Sequence, residues 1–206
     1  MCSRTATSCS PAICAKAGSA PMSEPLSYHW LQKLLHWLVA LLVLYQIPVG
    51  IIIINFDNKP VLDGMFGKGS FDTIYYLHKN FGLTLLMLMA LRLLVRAFMG
   101  KPRYYPELTD FERVASTIVH WALYVLLIVT PIIGWIGISA FPALPDYFGL
   151  FKVPGIWAPD REFSLQILGV HRILGLSIAA LAILHILAAL YHGLIKRDGV
   201  FSRMTR

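Results

Sequence analysis

The sequence predicts an all-α, integral membrane four-helix bundle, and three observations carry that reading. Its 206 residues are 57% hydrophobic and 14% charged, where a soluble domain holds about 45–50% and about 25%; mean hydropathy is +0.64. Four nearly uninterrupted apolar stretches, Leu34–Ile54, Tyr76–Phe98, Thr117–Ser139 and His171–Ile195, each supply the ~20 residues that cross a hydrocarbon core. Most of the seven histidines lie in or beside these stretches. A chain this apolar cannot build a polar shell, which excludes a soluble enzyme.

Four crossings place both termini on one side. The N-terminal region, the second connection with its adjoining helix ends, and the tail hold twelve basic and five acidic residues; the first and third connections with their flanks hold six of each. Basic residues are retained on the cytoplasmic side, so both termini of a multi-pass protein are expected in the cytoplasm. The net charge of +7 is thereby assigned to orientation in the lipid bilayer, and no nucleic-acid partner is expected.

In chain order, residues 1–21 are small, polar and hold Cys2, Cys9 and Cys14. They read as a disordered extension, or as the product of an upstream start with the working start at Met22, leaving 22–206 as the domain. There is no apolar core for a signal peptide, and the cysteine spacings make no CxxC pair. Helix 1 begins after Ser27–Tyr28 and is expected to kink at Pro48. The connection Asn55 to Asp72 reads as a Gly-rich polar loop. A basic loop around Lys101 and Arg103 follows helix 2. Thr109 and Glu112 have capping-box spacing ahead of helix 3, which is expected to bend at Pro131 and Gly134. The connection Ala140 to Ser164, rich in Pro and aromatic residues, suits the outer interface.

Ionisable groups inside membrane helices are costly and mark function. His171 and His185 are 14 residues apart, nearly four helical turns, so both face one way about 21 Å apart along the axis. One helix thus offers imidazoles at two depths, as two flat cofactors stacked across a membrane require. His78 answers His171 at the outer level, both being read as sitting at helix starts, each with a glycine at i+4 (Gly82, Gly175) that leaves room for a porphyrin. His36 answers His185 at the inner level; their run-end distances differ, so tilt or a longer helix 1 must absorb the mismatch. Arg92 lies 14 residues after His78, facing either an anion such as a haem propionate or, by snorkelling, the inner interface. Hydrogen bonding between helices is the plainer use of a single membrane histidine, but four in two depth-matched pairs point to axial ligation. Zinc is disfavoured, because neither level offers a third or fourth ligand. His120 and His192 are expected past the inner pair, as quinone-binding and proton-carrying groups or as plain interfacial histidines.

The segments QKLLHWLVALLVLYQIPVG, IYYLHKNFGLTLLMLMALRLLVR, VHWALYVLLIVTPIIGW and VHRILGLSIAALAILHILAALYH resemble the four helices of the bacterial cytochrome b561 family. The likeness covers about residues 27–206, and it is the ordered set HW, H…G…R and H-x13-H-x6-H that is specific. It implies a bundle in the bacterial inner membrane with two haem b groups stacked across the bilayer, held by His36 with His185 and by His78 with His171. Its best-understood members resemble a superoxide oxidase, which passes electrons from superoxide at the outer face to ubiquinone at the inner side. His120 and His192 match the positions associated with the quinone. Lys79 and Arg172, each beside an outer ligand, are then candidates for drawing superoxide in, or else snorkel to the interface; the outer connections are neutral overall, so attraction must be local. Two other functions remain open: an electron-transfer subunit joining a dehydrogenase or small periplasmic redox partner to the quinone pool, and a haem-free transporter or proton channel with a histidine relay.

Overall fold

The computed structural model describes residues 27–54, 58–100 and 108–205. The 1–21 extension with its cysteines lies outside the described residues, as does the Lys101–Arg103 loop. Four long helices form the body: α1 (Trp30–Ile53), α3 (Ser70–Met99), α4 (Asp110–Ala140) and α5 (Arg161–Leu190), the last continued by a π turn, Tyr191–Lys196. All four are long and apolar enough to cross a membrane. They run antiparallel in a ring, α1 against α3, α3 against α4, α4 against α5, and α5 back to α1 through a thinner contact.

The helix starts follow sequence logic. Thr109 and Glu112 close a capping box on α4, with Thr109 Oγ1 accepting from Glu112 N–H and Glu112 Oε2 accepting from Thr109 N–H. His29 does the same for α1 with Gln32. Asp160 caps α5 by accepting from Phe163 N–H. Polar caps at these points satisfy N–H groups that have no helical partner.

Inside the ring, Val39, Val43, Leu85, Met89, Tyr124, Leu127 and Ile178 form one buried cluster. It occupies the middle of the bundle, between the two histidine levels. The outward faces carry large apolar side chains such as Leu41, Leu94, Ile118, Trp121, Ile173 and Leu187, all exposed. A water-soluble bundle cannot carry such a surface, whereas lipid solvates it.

At one end, called here the hairpin end, two connections depart from the sequence reading or refine it. The first is not all loop: α2 (Asn58–Phe66) occupies half of it, tied down by Lys59 to Asp72 at 2.8 Å and by Asp63 Oδ1 accepting from Phe71 N–H. Gly64 and Pro60 disguise this short helix, yet a proline in the first turn costs no hydrogen bond. The second holds a two-stranded antiparallel hairpin, β1 (Asp146–Tyr147) and β2 (Phe151–Lys152). Its turn uses Phe148 and Gly149 at positive φ (48° and 76°). Asn80, fully buried, accepts from Phe148 N–H, and Tyr147 Oη meets Thr84 Oγ1 at 3.0 Å, so the hairpin is pinned onto α3.

At the opposite, terminal end the tail folds back through α6 (Ser202–Thr205). Arg203 O accepts from Tyr28 N–H and Ser27 Oγ, and Met204 O accepts from Trp37 Nε1–H. Both described ends of the chain therefore sit together, as an even number of crossings requires.

Candidate functional site

Each long helix carries one polar or glycine position at each of two depths, separated by fourteen residues. On α1 these are His36 and Gly50; on α3, Arg92 and His78; on α4, His120 and Gly134; on α5, His185 and His171. Fourteen residues are close to four turns, about 21 Å, so the ring repeats itself at two levels.

At the hairpin level the rings of His78 and His171 are 6.2 Å apart, nearly perpendicular at 85°. An imidazole nitrogen binds a first-row metal at about 2.0–2.1 Å, so two rings sharing one ion through it have centres about 6 Å apart. The other two helices withdraw: a Cβ on Gly134 would lie 2.9 Å from the His171 ring, and one on Gly50 would lie 3.4 Å from His78 Cε1. A cavity of about 480 Å³ opens around the pair and is also lined by Gly82, Gly175, Lys79 and Arg172. That volume lies in the range of ligand clefts. His171 Nδ1 donates to Thr130 O at 2.9 Å, which leaves Nε2 as the nitrogen able to ligate. His78 Nδ1 is buried with no hydrogen-bond partner among the described residues.

The sequence reading needs three adjustments at this level. His78 and His171 are not at helix starts but two to three turns inside, since α3 begins at Ser70 and α5 at Arg161. Of the two i+4 glycines, only Gly175 faces open space; a Cβ on Gly82 would meet Gln46 Nε2 at 3.3 Å. The glycines that touch the imidazoles are Gly50 and Gly134, one unmarked and one read only as a bend. Lys79 is half-buried, donating to Ala143 O at 3.0 Å with its ammonium 4.4 Å from the Tyr75 ring centre.

At the terminal level His36 and His185 also stand 6.2 Å apart, at 81°. The depth mismatch between them is absorbed because α1 begins at Trp30 and the regular part of α5 ends at Leu190. Here the other two helices fill the level instead of clearing it. His120 is not beyond the pair but against it, its ring 5.1 Å from that of His185; its Nδ1 donates to Ser116 O. Arg92 points inward rather than to the interface. Its Nε donates to Tyr124 Oη at 3.3 Å, and its buried Nη1 has no hydrogen-bond partner among the described residues; a carboxylate would suit it. His192 lies in the π turn, bonded to Asp198.

Among the described residues no three His, Cys, Asp or Glu side chains cluster to hold a bare metal ion. Two nitrogen ligands facing across a cavity suit instead a metal that brings its own macrocycle. Fold and site together thus define a four-helix membrane protein with paired imidazoles at two levels, one pair bordering a cavity.

The comparisons narrow this class. The family model for prokaryotic cytochrome b561 matches residues 27–206, and the chain belongs to that family. It is similar to cytochrome b561 homolog 2 of Escherichia coli K12, 29% identical over 88% of this chain and 93% of the relative. It is also similar to cytochrome b561 homolog 1 of the same strain, 29% identical over 69% and 82%. A third relative is the probable superoxide oxidase CybB of Yersinia pestis, 27% identical over 86% and 94%. The protein is therefore a bacterial membrane cytochrome of the b561 family, a membrane electron-transfer protein whose family implies b-type haem.

Proposed function

We infer that the protein moves electrons from superoxide at the periplasmic face, through two haem b groups, to ubiquinone at the cytoplasmic side. The observation that carries this reading is the pair of imidazole pairs, each at 6.2 Å, on two levels of one bundle. His78 and His171 are the proposed ligands at the hairpin level, taken as periplasmic; His36 and His185 serve at the terminal level, taken as cytoplasmic with both termini. Residues 1–21 are taken as an extension preceding the domain 22–206. Haem held by these imidazoles would supply a one-electron carrier.

The chain's own residues divide the remaining work. Thr130 O orients His171, while Gly134 and Gly50 let α4 and α1 approach the imidazoles. Gly175 keeps open the cavity that a macrocycle needs, and Gly82 lines it beside Gln46. The Nη1 of Arg92, unpartnered among the described residues, suits a propionate. Lys79 and Arg172 place two cations beside that cavity, where they favour a small anion over a neutral molecule. His120 and His192 are proposed to bind the quinone and hold the protons it takes up. The overall change balances as two superoxide ions, one ubiquinone and two protons giving two dioxygen molecules and one ubiquinol. The name of the Yersinia relative supports superoxide as donor.

A stopped-flow superoxide pulse tests the reading. Haem should reduce within the mixing time and reoxidise when ubiquinone is added. Replacing Lys79 and Arg172 together by alanine should slow the first phase several-fold, and raised ionic strength should slow the native protein likewise. Haems that respond only to a reduced partner protein would make the chain an electron-transfer subunit. A purified protein lacking a Soret band would favour a transporter or proton relay.

A further inference from the structure

Beyond the last regular turn of α5 the chain builds a device that electron passage alone does not require. Tyr191–Lys196 widen into a π turn, a form that accumulates at functional sites. Arg197, at φ 52°, then reverses the chain. The reversal lays Asp198 on His192: Asp198 Oδ2 accepts from His192 Nδ1–H at 2.5 Å, with both side chains only 13% exposed. Asp198 Oδ1 accepts from Val200 N–H at 3.2 Å, and Lys196 Nζ lies 3.9 Å from Oδ2. Lys196 is itself held by Glu112 of α4, and the Tyr191 ring stands edge-on to His192 at 5.7 Å. Asp198 and Tyr191 thus meet this imidazole directly, while Lys196 joins Asp198 to Glu112.

A carboxylate on Nδ1 decides which nitrogen keeps its proton and which exchanges it, as the aspartate of a catalytic triad orients its histidine. We propose that Asp198 is a positioning residue for proton delivery, pinning His192 so that Nε2 passes protons to ubiquinone as it is reduced. The inference rests on the quinone reading of His192 and adds the group that makes that imidazole a directed carrier. Ubiquinone takes two electrons and two protons to become ubiquinol; each proton leaves His192 Nε2 and is replaced from water on the same side. Asp198 takes up none.

The test uses full-length protein reduced anaerobically with dithionite and mixed with a short-tailed ubiquinone. Asp198→Asn should reoxidise about 10–100-fold more slowly, the usual cost of removing a group that orients a functional histidine. The half-saturating ubiquinone concentration should change little, and Asp198→Glu should recover most of the rate. Haem spectrum and reduction by dithionite should match the native protein in both variants. His192→Ala should be as slow as Asp198→Asn, and the double variant no slower, since the two act as a unit. Native-rate reoxidation in Asp198→Asn overturns the proposal and leaves the quinone reading standing. A native protein that ubiquinone does not reoxidise overturns both. Should Asp198→Asn lose its haem, His192→Ala decides, and a native rate there overturns the proposal.

Discussion

The two levels of the bundle share one plan and fill it oppositely. Four helices contribute one position each at both depths. At the hairpin level two of the four are glycines, Gly50 and Gly134, and the imidazoles of His78 and His171 border a cavity of about 480 Å³. At the terminal level the matching positions are His36, Arg92, His120 and His185, and they crowd together: His120 is 5.1 Å from His185, and Arg92 reaches Tyr124. The imidazole pairs are nevertheless spaced alike. One level is shaped by removing side chains and the other by adding charge and donors. The first leaves open space beside its imidazoles; the second packs a third imidazole and a guanidinium around its own.

Breaking one pair gives the largest expected effect on this contrast. His171→Ala should halve the haem content, leave the terminal-level spectrum in place and reduce superoxide-driven reduction by more than about a hundredfold, because a lost ligand removes the group that receives the electron. His120→Ala should keep both haems, since its ring is too close to His185 to share an ion with it, and should slow ubiquinol formation instead.

Glycine substitutions sharpen the same contrast with a smaller effect. Gly134→Ala forces its new Cβ to within 2.9 Å of the His171 ring, an overpacking that costs about 1–3 kcal/mol. Thermal unfolding and haem retention at the hairpin level should both fall. Gly175→Ala meets nothing within 4 Å, so the haem-free protein should unfold at its native temperature while haem binding weakens, because the methyl group enters the cavity. Equal haem affinity in native protein and Gly175→Ala would show that the cavity is not where the macrocycle lies.

The smallest effect is electrostatic and confined to the other level. Arg92→Met removes a buried positive charge, which favours the more positive, oxidised haem and should lower the terminal-level potential by several tens of millivolts; about 60 mV corresponds to a tenfold change for one electron. The hairpin-level potential, about 21 Å away along the axis, should move much less. Redox titration with optical detection separates the two.

Much of this architecture is legible in the sequence. Uninterrupted apolar runs set the four crossings, because only satisfied helices or closed barrels cross lipid. The 14-residue step placed His171 with His185, and His78 with Arg92. The same step also links His36 to Gly50 and His120 to Gly134, a signal present in the sequence that marks the two glycines nearest the imidazoles. It is easily passed over, because a glycine acts here by what it leaves out. The helix α2 was hidden by Pro60 and Gly64. The hairpin and the Asp198–His192 contact depend on chain reversals at Phe148 and Arg197, residues without the glycine signature of positive φ. Where α3 and α5 begin was obscured as well, since polar turns at Ser70–Thr73 and Arg161–Ser164 extend helices beyond their apolar stretches.

The spacing of paired imidazoles on two levels is the central claim, and a pyridine hemochrome assay on the purified protein tests it most directly. The account predicts two haem b groups per chain, falling to one when either His171 or His36 is replaced by alanine. A native stoichiometry of one or none, or two haems persisting in both variants, would contradict it.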